Sequence, residues 1–238
     1  MSAARTAFCR RHARRYSYRA MPSLVLASSS PRRAALLSGA GFEFEIAPPR
    51  LAEKFDAAVT LRELTLWNAI RKGMSVAQTW PDAVVIAADT LVALGNEIIG
   101  KPSDLEEAAQ MLQRLSGQTH EVCSAVLIYH QTSGRSALFH EISCVRFYRL
   151  NRAVIKRYLA KVNPLDKAGA YAAQGTGAEI IAKIAGSFTN VVGLPMEKTI
   201  AALAKFGIRP RKANKERRLP NRRVRVDGCT SRRSLKFK

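Results

Sequence analysis

Apolar residues follow two different patterns along the middle of this chain. Continuous apolar runs at 24–27 and 83–88 predict buried strands, and alternation at 42–46 predicts a half-exposed strand. Apolar residues spaced three or four apart predict helices with one buried face at 31–38, 61–79, 105–115, 151–162 and 196–206. Helices and strands interleaved in this way are typical of an α/β fold.

Other segments predict antiparallel strand pairs. The run 91–99 predicts a hairpin that turns at Gly95 and Asn96, and the runs 122–129 and 137–148 predict a second hairpin around Gly134. Further strands are expected at 178–184 and at 191–195, the second leading into the last helix through a Gly-Leu-Pro turn. Because hairpins occur beside buried parallel-type strands, we expect a mixed sheet flanked by helices.

The positive charge is concentrated at the two ends of the chain. The net charge is +21, of which residues 1–21 carry +6 and residues 209–238 carry +11, leaving +4 for residues 22–208. A domain built to bind nucleic acid usually carries a basic surface of its own, so this distribution argues against such a core. We therefore expect one domain at 22–208 between two disordered basic extensions that bind nucleic acid only non-specifically.

The four cysteines and the absence of long apolar runs bear on the compartment. The cysteines form no CxxC pair and have no histidine at ligand spacing, so we expect reduced thiols in a cytoplasmic protein. No apolar run is long enough for a membrane span. Residues 1–21 have the composition of a mitochondrial transit peptide, or translation starts at Met21; both interpretations remain open.

The segment from Ser28 to Arg33 predicts an anion site at the start of a helix. Ser30 can cap the helix, Pro31 suits a first helical position, and the helix N-terminus presents backbone donors and a positive dipole end. Ser30 and Arg32 are the candidate substrate-binding residues here, with Arg33 secondary, because the arginine fork matches phosphate oxygens. The alternative is an ordinary helix start with two solvated arginines.

Three later positions are candidates for chemistry. Asp89 directly follows the run 83–88, where it could hold a divalent cation or act as a general base, or simply occupy a turn. Lys101 is a candidate because Gly100 and Pro102 restrict the backbone on either side of it; the alternative is an ordinary surface lysine. Gln174, in a stretch of small residues, could bind a base edge or orient a water; the alternative is a tight packing turn. We expect His120 to be structural.

Together these segments resemble the Maf proteins, a family of nucleoside triphosphate pyrophosphatases, over residues 22–207. The matching blocks, in family order, are SSSPRR at 28–33, AADT at 87–90, GKP at 100–102, LSGQTH at 115–120, DKAGAYAAQG at 166–175 and VVGLP at 191–195. The resemblance implies an elongated α/β fold with a central mixed sheet and a cleft between two lobes. It also implies a homodimer that hydrolyses a nucleotide between its α and β phosphates with Mg²⁺ or Mn²⁺.

The resemblance assigns roles to individual residues. Arg32 matches the family's phosphate-binding arginine and Asp89 its catalytic proton acceptor and metal ligand. Lys72 and Lys101 match its two active-site lysines. Arg32, Thr90 and Gln174 match the specificity set of the subgroup that acts on dTTP and UTP, whereas the subgroup linked to 7-methyl-GTP has Gln after the Asp.

The chain departs from the family at its acidic metal-binding stretch. Ala52 occupies the position of the usual Glu, and Glu53 stands next to it, so Glu53 takes the metal role or the metal shell is weakened. Lys72 is also followed by Gly73 where Ala is usual. Two alternatives to a dTTP/UTP pyrophosphatase follow: a nucleotide-binding regulator of cell division with little catalysis, and a 7-methyl-GTP pyrophosphatase.

Overall fold

The structure is a computed structural model in which residues 23–51 and 59–211 are described. The predicted N-terminal extension, nearly all of the predicted C-terminal extension, Ala52 and Glu53 lie outside these residues.

The described residues form one mixed seven-stranded sheet. Its strands are β1 Leu24–Ala27, β2 Glu45–Ile46, β3 Val84–Leu94, β4 Glu97–Ile99, β5 Thr119–His130, β6 Arg135–Phe147 and β7 Ile181–Ala185. The strand order is β2-β1-β3-β5-β6-β7, and β4 pairs with the far end of β3. The pairs β1–β2 and β1–β3 are parallel, and the other pairs are antiparallel. The α/β fold with a mixed central sheet is therefore confirmed.

Helices flank both faces of this sheet. They are α1 Pro31–Gly39, α2 Leu61–Ala77, α3 Leu105–Leu115, α4 Arg152–Leu159, α5 Phe188–Val192 and α6 Met196–Lys205. The start of α2 is fixed by a capping box between Thr60 and Glu63, and α4 starts at the predicted cap Asn151. Helix α3 spans the predicted residues 105–115, and Asp104 caps it by accepting a hydrogen bond from the backbone N–H of Glu107.

Several predicted strands are corrected by the structure. The strand predicted at 42–46 is reduced to Glu45–Ile46, because Phe42 turns into the core instead of alternating along an edge. The segment 178–184 is a 3₁₀ helix up to Ile180 and a strand only afterwards. The apolar run before the Gly-Leu-Pro turn belongs to helix α5, where Ser187 caps the first turn. All three segments are short, and short apolar patterns fit more than one element.

Two apolar clusters share one face of the long strand β3. Its residues Val84, Ile86 and Ala88 pack in a cluster with α1 and α6, and Val92 packs in a second cluster with α3 and α4. Thr90, which has the same orientation along the strand, lies between the two clusters. The opposite face of the sheet is covered by α2. A junction between two cores is thus the natural place for a cleft.

Within residues 23–51 and 59–211, no helix combines the length and the apolar character that a membrane crossing requires.

Candidate active site

A cleft opens where strand β1 stops and β3 continues. β1 pairs with β3 only as far as Ala27, opposite Ala87, while β3 runs on through Asp89 beside β5. Asp89 is therefore inside a strand rather than directly after one, which corrects the prediction. Asp89 still lies just past the carboxyl end of the neighbouring strand β1, and ligands of open α/β sheets bind at the carboxyl ends of strands. Seven predicted site residues line the cleft: Ser30, Arg32, Lys72, Asp89, Thr90, Lys101 and Gln174.

The loop between β1 and α1 forms one wall of the cleft. Ser28 is buried, and its hydroxyl accepts a hydrogen bond from the backbone N–H of Ser30 at 3.2 Å. Pro31 is the first residue of α1 and Ser30 its N-cap, both as predicted, although the Ser30 hydroxyl makes no capping bond. The hydroxyl therefore stays available at the cleft surface, beside the donor end of the helix.

Arg33 is buried and ties three parts of the site together. Its Nε donates to the carbonyl of Gly193 at 2.9 Å, and its two terminal nitrogens donate to Ser28 Oγ at 3.1 Å and Thr90 Oγ1 at 3.0 Å. A planar guanidinium can satisfy three acceptors at fixed angles, which a lysine cannot. Arg33 thus holds the first loop, strand β3 and the end of α5 in one arrangement.

Arg32 points to the opposite rim of the cleft. Its guanidinium donates to the Asp166 carboxylate at 2.8 Å and to the Asp166 carbonyl at 3.2 Å. The same carboxylate pairs with Lys167, which also donates to the carbonyl of Asn163. Burial by itself would raise the pKa of Asp166, but hydrogen bonds from Lys167 and Arg32 outweigh it and hold the pKa below its usual value. Asp166 therefore holds the side chains of Arg32 and Lys167 at the rim of the cleft.

Asp89 is held by two side chains of α2. Lys72 Nζ lies 2.5 Å from Asp89 Oδ1, and Asn68 Nδ2 donates to Asp89 Oδ2 at 3.3 Å. Asn68 and Lys72 are four residues apart and so share one face of the helix. Asp89 is 2% exposed and Lys72 is 9% exposed. The site therefore contains a nearly buried ion pair whose carboxylate has one strongly and one weakly bound oxygen.

The segment 166–177 forms the wall opposite α1. The backbone N–H of Gly169 donates to the carbonyl of Gly100 at 2.9 Å, which joins this wall to the loop that carries Lys101. Both Gly169 and Ala170 have positive φ, 72° and 62°, an unusual conformation for alanine. Lys101 and Gln174 are exposed at the cleft. The small residues noted in the sequence therefore serve a tight backbone path that brings Gln174 to the cleft.

Tyr171 supports this wall from behind. Its hydroxyl lies 2.8 Å from Nε2 of the buried His120, and the two rings pack edge-on with Phe147. Burial lowers the pKa of His120 to about 4, so the imidazole is neutral near pH 7. The predicted structural role of His120 agrees with this position. The backbone N–H of Ala172 donates to the hydroxyl of Tyr158, a second support.

Sequence reasoning missed three residues of the site. Asn68 and Asp166 were not singled out, and Arg33 was expected to be secondary. The spacing of Asn68 four residues before Lys72 on a predicted helix was an available signal. Nothing local marked the Arg33 contacts, because two of its three acceptors lie 57 and 160 residues away in the chain.

The described residues supply few metal ligands. They contain no group of three or more His, Cys, Asp or Glu side chains that could hold a metal ion. In the cleft the carboxylates are Asp89, which is paired with Lys72, and Asp166, which is paired with Arg32 and Lys167. The second proposed metal ligand, Glu53, lies outside the described residues.

Comparison with known proteins gave consistent matches. The sequence model of a family described as Maf-like protein matches residues 23–206. A protein of Bacillus pumilus (strain SAFR-032) named dTTP/UTP pyrophosphatase is 44% identical over 190 residues, which cover 80% of this chain and all of that protein. Proteins of the same name from Bacillus velezensis and Aquifex aeolicus are 45% and 43% identical, over 78% of this chain and 97% and 96% of theirs.

Proposed function

Because the chain belongs to the family of Maf-like proteins, we propose that it is a nucleoside triphosphate pyrophosphatase that converts dTTP and UTP to the monophosphate and pyrophosphate. The observation that carries this proposal is the pairing of a nearly buried carboxylate, Asp89, with a cationic cleft. Among the described residues, five cationic side chains line the cleft, namely Arg32, Arg33, Lys72, Lys101 and Lys167, against two carboxylates. Such an excess of positive charge suits a polyanionic ligand.

The phosphates are held by the first loop and by Lys101. The N-terminus of α1 offers backbone donors, Ser30 offers a hydroxyl, and Arg32 lies at the same wall. Arg32 has five N–H donors and gives two of them to Asp166, so three remain for phosphate oxygens. Lys101, exposed on the other side, neutralises the leaving pyrophosphate. Charge neutralisation and positioning are what phosphoryl transfer demands of a protein.

Asp89 accepts the proton of the attacking water. The water oxygen bonds to the α-phosphorus, the bond from that phosphorus to the oxygen bridging to the β-phosphate breaks, and pyrophosphate leaves with that oxygen. Oδ2 of Asp89 is the oxygen for this task, because Oδ1 is bound tightly by Lys72 and Asn68 binds Oδ2 at the longer distance of 3.3 Å. Lys72 holds the carboxylate in place at the cleft through its 2.5 Å contact with Oδ1.

A divalent cation fits this site only with help from the substrate. Mg²⁺ commonly binds through one or two carboxylates together with substrate phosphates and water, and Asp89 supplies one such carboxylate. Glu53 is the second proposed ligand. When bound, Mg²⁺ or Mn²⁺ would neutralise phosphate charge.

Base recognition is assigned to Arg32, Thr90 and Gln174. All three line the cleft, and Gln174 is exposed there on the backbone path held by Gly169 and Tyr171. Thr90 replaces the Gln of the 7-methyl-GTP subgroup, which supports a pyrimidine preference. We further propose a homodimer in the cytoplasm, whose basic segments bind nucleic acid only through salt-sensitive phosphate contacts.

The test is pyrophosphate release from a panel of canonical and modified nucleoside triphosphates with Mg²⁺ or Mn²⁺. We expect turnover of dTTP and UTP by the parent and loss of turnover in Asp89→Asn. The matched surface control Glu106→Gln, whose side chain is exposed, should keep the parent's turnover. Turnover in Glu53→Ala shows whether that acid is needed. Turnover of 7-methyl-GTP but not of dTTP or UTP would refute the assignment to the dTTP/UTP subgroup. Tight binding of a nucleotide without turnover would favour a regulator.

A further inference from the structure

The hydroxyl of Thr90 belongs to a chain of short hydrogen bonds that runs from the cleft into the core. Thr90 Oγ1 lies 2.8 Å from Ser124 Oγ, and Ser124 Oγ donates to the backbone carbonyl of Asn190 at 2.9 Å. From the other side Arg33 donates to Thr90 Oγ1 at 3.0 Å. Ser124 and Asn190 are both completely buried. The polar groups that face Thr90 are therefore set by the fold.

Each hydroxyl has one hydrogen, and this number fixes the direction of the chain. The hydrogen of Ser124 lies on the bond to the Asn190 carbonyl, so the hydrogen of Thr90 must fill the 2.8 Å contact with Ser124. If that contact were reversed, Thr90 would give its hydrogen to the Gly193 carbonyl at 3.4 Å, again within the protein. In both arrangements Thr90 has no hydrogen to donate to a ligand.

The inner end of this chain of hydrogen bonds, at Asn190, is held in place by further hydrogen bonds. Asn190 Nδ2 donates to the carbonyl of Val122 at 3.0 Å and to Ser143 Oγ at 2.9 Å. Ser143 Oγ in turn donates to the carbonyl of Ser187 at 3.1 Å. Asn190 thus links β5, β6 and α5, and its carbonyl cannot turn away from Ser124 without breaking these bonds.

Resting on the proposed function, we infer that Ser124 is a positioning residue that makes Thr90 a pure hydrogen-bond acceptor toward the nucleobase. The site thereby favours bases with a hydrogen on the ring nitrogen of their pairing edge. Uracil and thymine carry hydrogen on N3, whereas N3 of cytosine is an acceptor. When cytosine N3 faces Thr90 Oγ1, two acceptors meet and neither has a hydrogen-bond partner. A site built to accept a hydrogen bond from its ligand rejects a ligand without that donor for this reason.

The experiment compares UTP with CTP, which differ only at the pairing edge, as substrates of the full chain. We expect the kcat/KM of the parent to favour UTP by at least about tenfold, mainly through KM, since one good polar contact is worth about this factor. In Ser124→Ala the Thr90 hydrogen keeps only the long 3.4 Å contact with the Gly193 carbonyl, so cytosine N3 can compete for it. The preference for UTP should therefore fall about tenfold, with an increase in kcat/KM for CTP.

Ser143→Ala is the matched control. Ser143 is also a buried serine bonded to Asn190, but it does not contact Thr90. The melting temperature of this variant should fall about as far as that of Ser124→Ala, while the parent's UTP preference is kept. Ser124→Thr keeps a hydroxyl, so it should show the parent's UTP preference. A gain in activity on CTP is a result that general damage to the fold would not produce.

Three results would overturn the inference: no preference for UTP in the parent, equal losses for UTP and CTP in Ser124→Ala, or the same change of preference in Ser143→Ala. If the parent releases no pyrophosphate from any nucleotide, the proposed function fails separately. Calorimetric binding of UMP and CMP to the parent and Ser124→Ala then decides the inference, and equal affinities, or no binding of either, would count against it.

Discussion

Replacing Lys72 by Met tests whether Asp89 is a buried charge. The side chains of Lys72 and Asp89 are 11% and 3% exposed, so the carboxylate would lose its partner without gaining water. Removing one member of a buried ion pair costs about 3–5 kcal/mol. For a domain of this size, a loss of 1 kcal/mol lowers the melting temperature by about 2–4 °C. We therefore expect Lys72→Met to melt about 6–20 °C below the parent.

The double variant Lys72→Met with Asp89→Asn separates charge from packing. It leaves no charge in the pair, and the amide at position 89 can still bond to Asn68, so most of the lost stability should return. Arg114→Met is the control, because its partner is Glu97 in a pair that is 45% and 64% exposed. Such a surface pair is worth about 0–1 kcal/mol.

The measurements are thermal melting by circular dichroism and urea unfolding of the four proteins. The reasoning is refuted if Lys72→Met loses no more stability than Arg114→Met, or if Asp89→Asn fails to restore stability in the Lys72→Met background. The first result would mean that water or another group solvates Asp89 once Lys72 is gone, and the second that the loss comes from packing rather than from charge.

Two further outcomes follow from other buried groups. Because burial lowers the pKa of His120 to about 4 against an ordinary 6.5, the unfolded chain binds one more proton between these values, so stability should fall as pH drops from about 6.5 to about 4. The loss attributable to His120 is about 3 kcal/mol, and urea midpoints across this range should show a smaller decline in His120→Phe. In Gly177→Ala the new Cβ would lie 2.1 Å from the carbonyl oxygen of Ala172, so the segment that carries Gln174 must shift. We expect a loss of about 3 kcal/mol with a raised KM, while Gly39→Ala, which has no atom within 4 Å of its Cβ, should change little; parent-like melting and KM in Gly177→Ala would contradict this contact.

The amphipathic and the continuous apolar segments were predicted well from the sequence. Helix α2 and strand β1 lie where their patterns placed them, because burial of one helix face or of a whole strand leaves a local mark. The segment 191–195 and the strand predicted at 178–184 were assigned less well. Both are short, and two or three consecutive apolar residues suit a strand or a helix turn equally.

The residue types of the candidate site were also set by the sequence, since hydroxyls, arginines, lysines and one carboxylate occur in blocks with the order of the Maf family. Only the tertiary structure decided their partners. It placed Asp89 within β3, against Lys72 and Asn68, and turned Arg32 toward Asp166 while burying Arg33 against Thr90. The reason is physical: a pattern along the chain reports which face of an element is buried. The partners of Arg32 and Arg33 are chosen by segments that meet across more than a hundred residues of the chain.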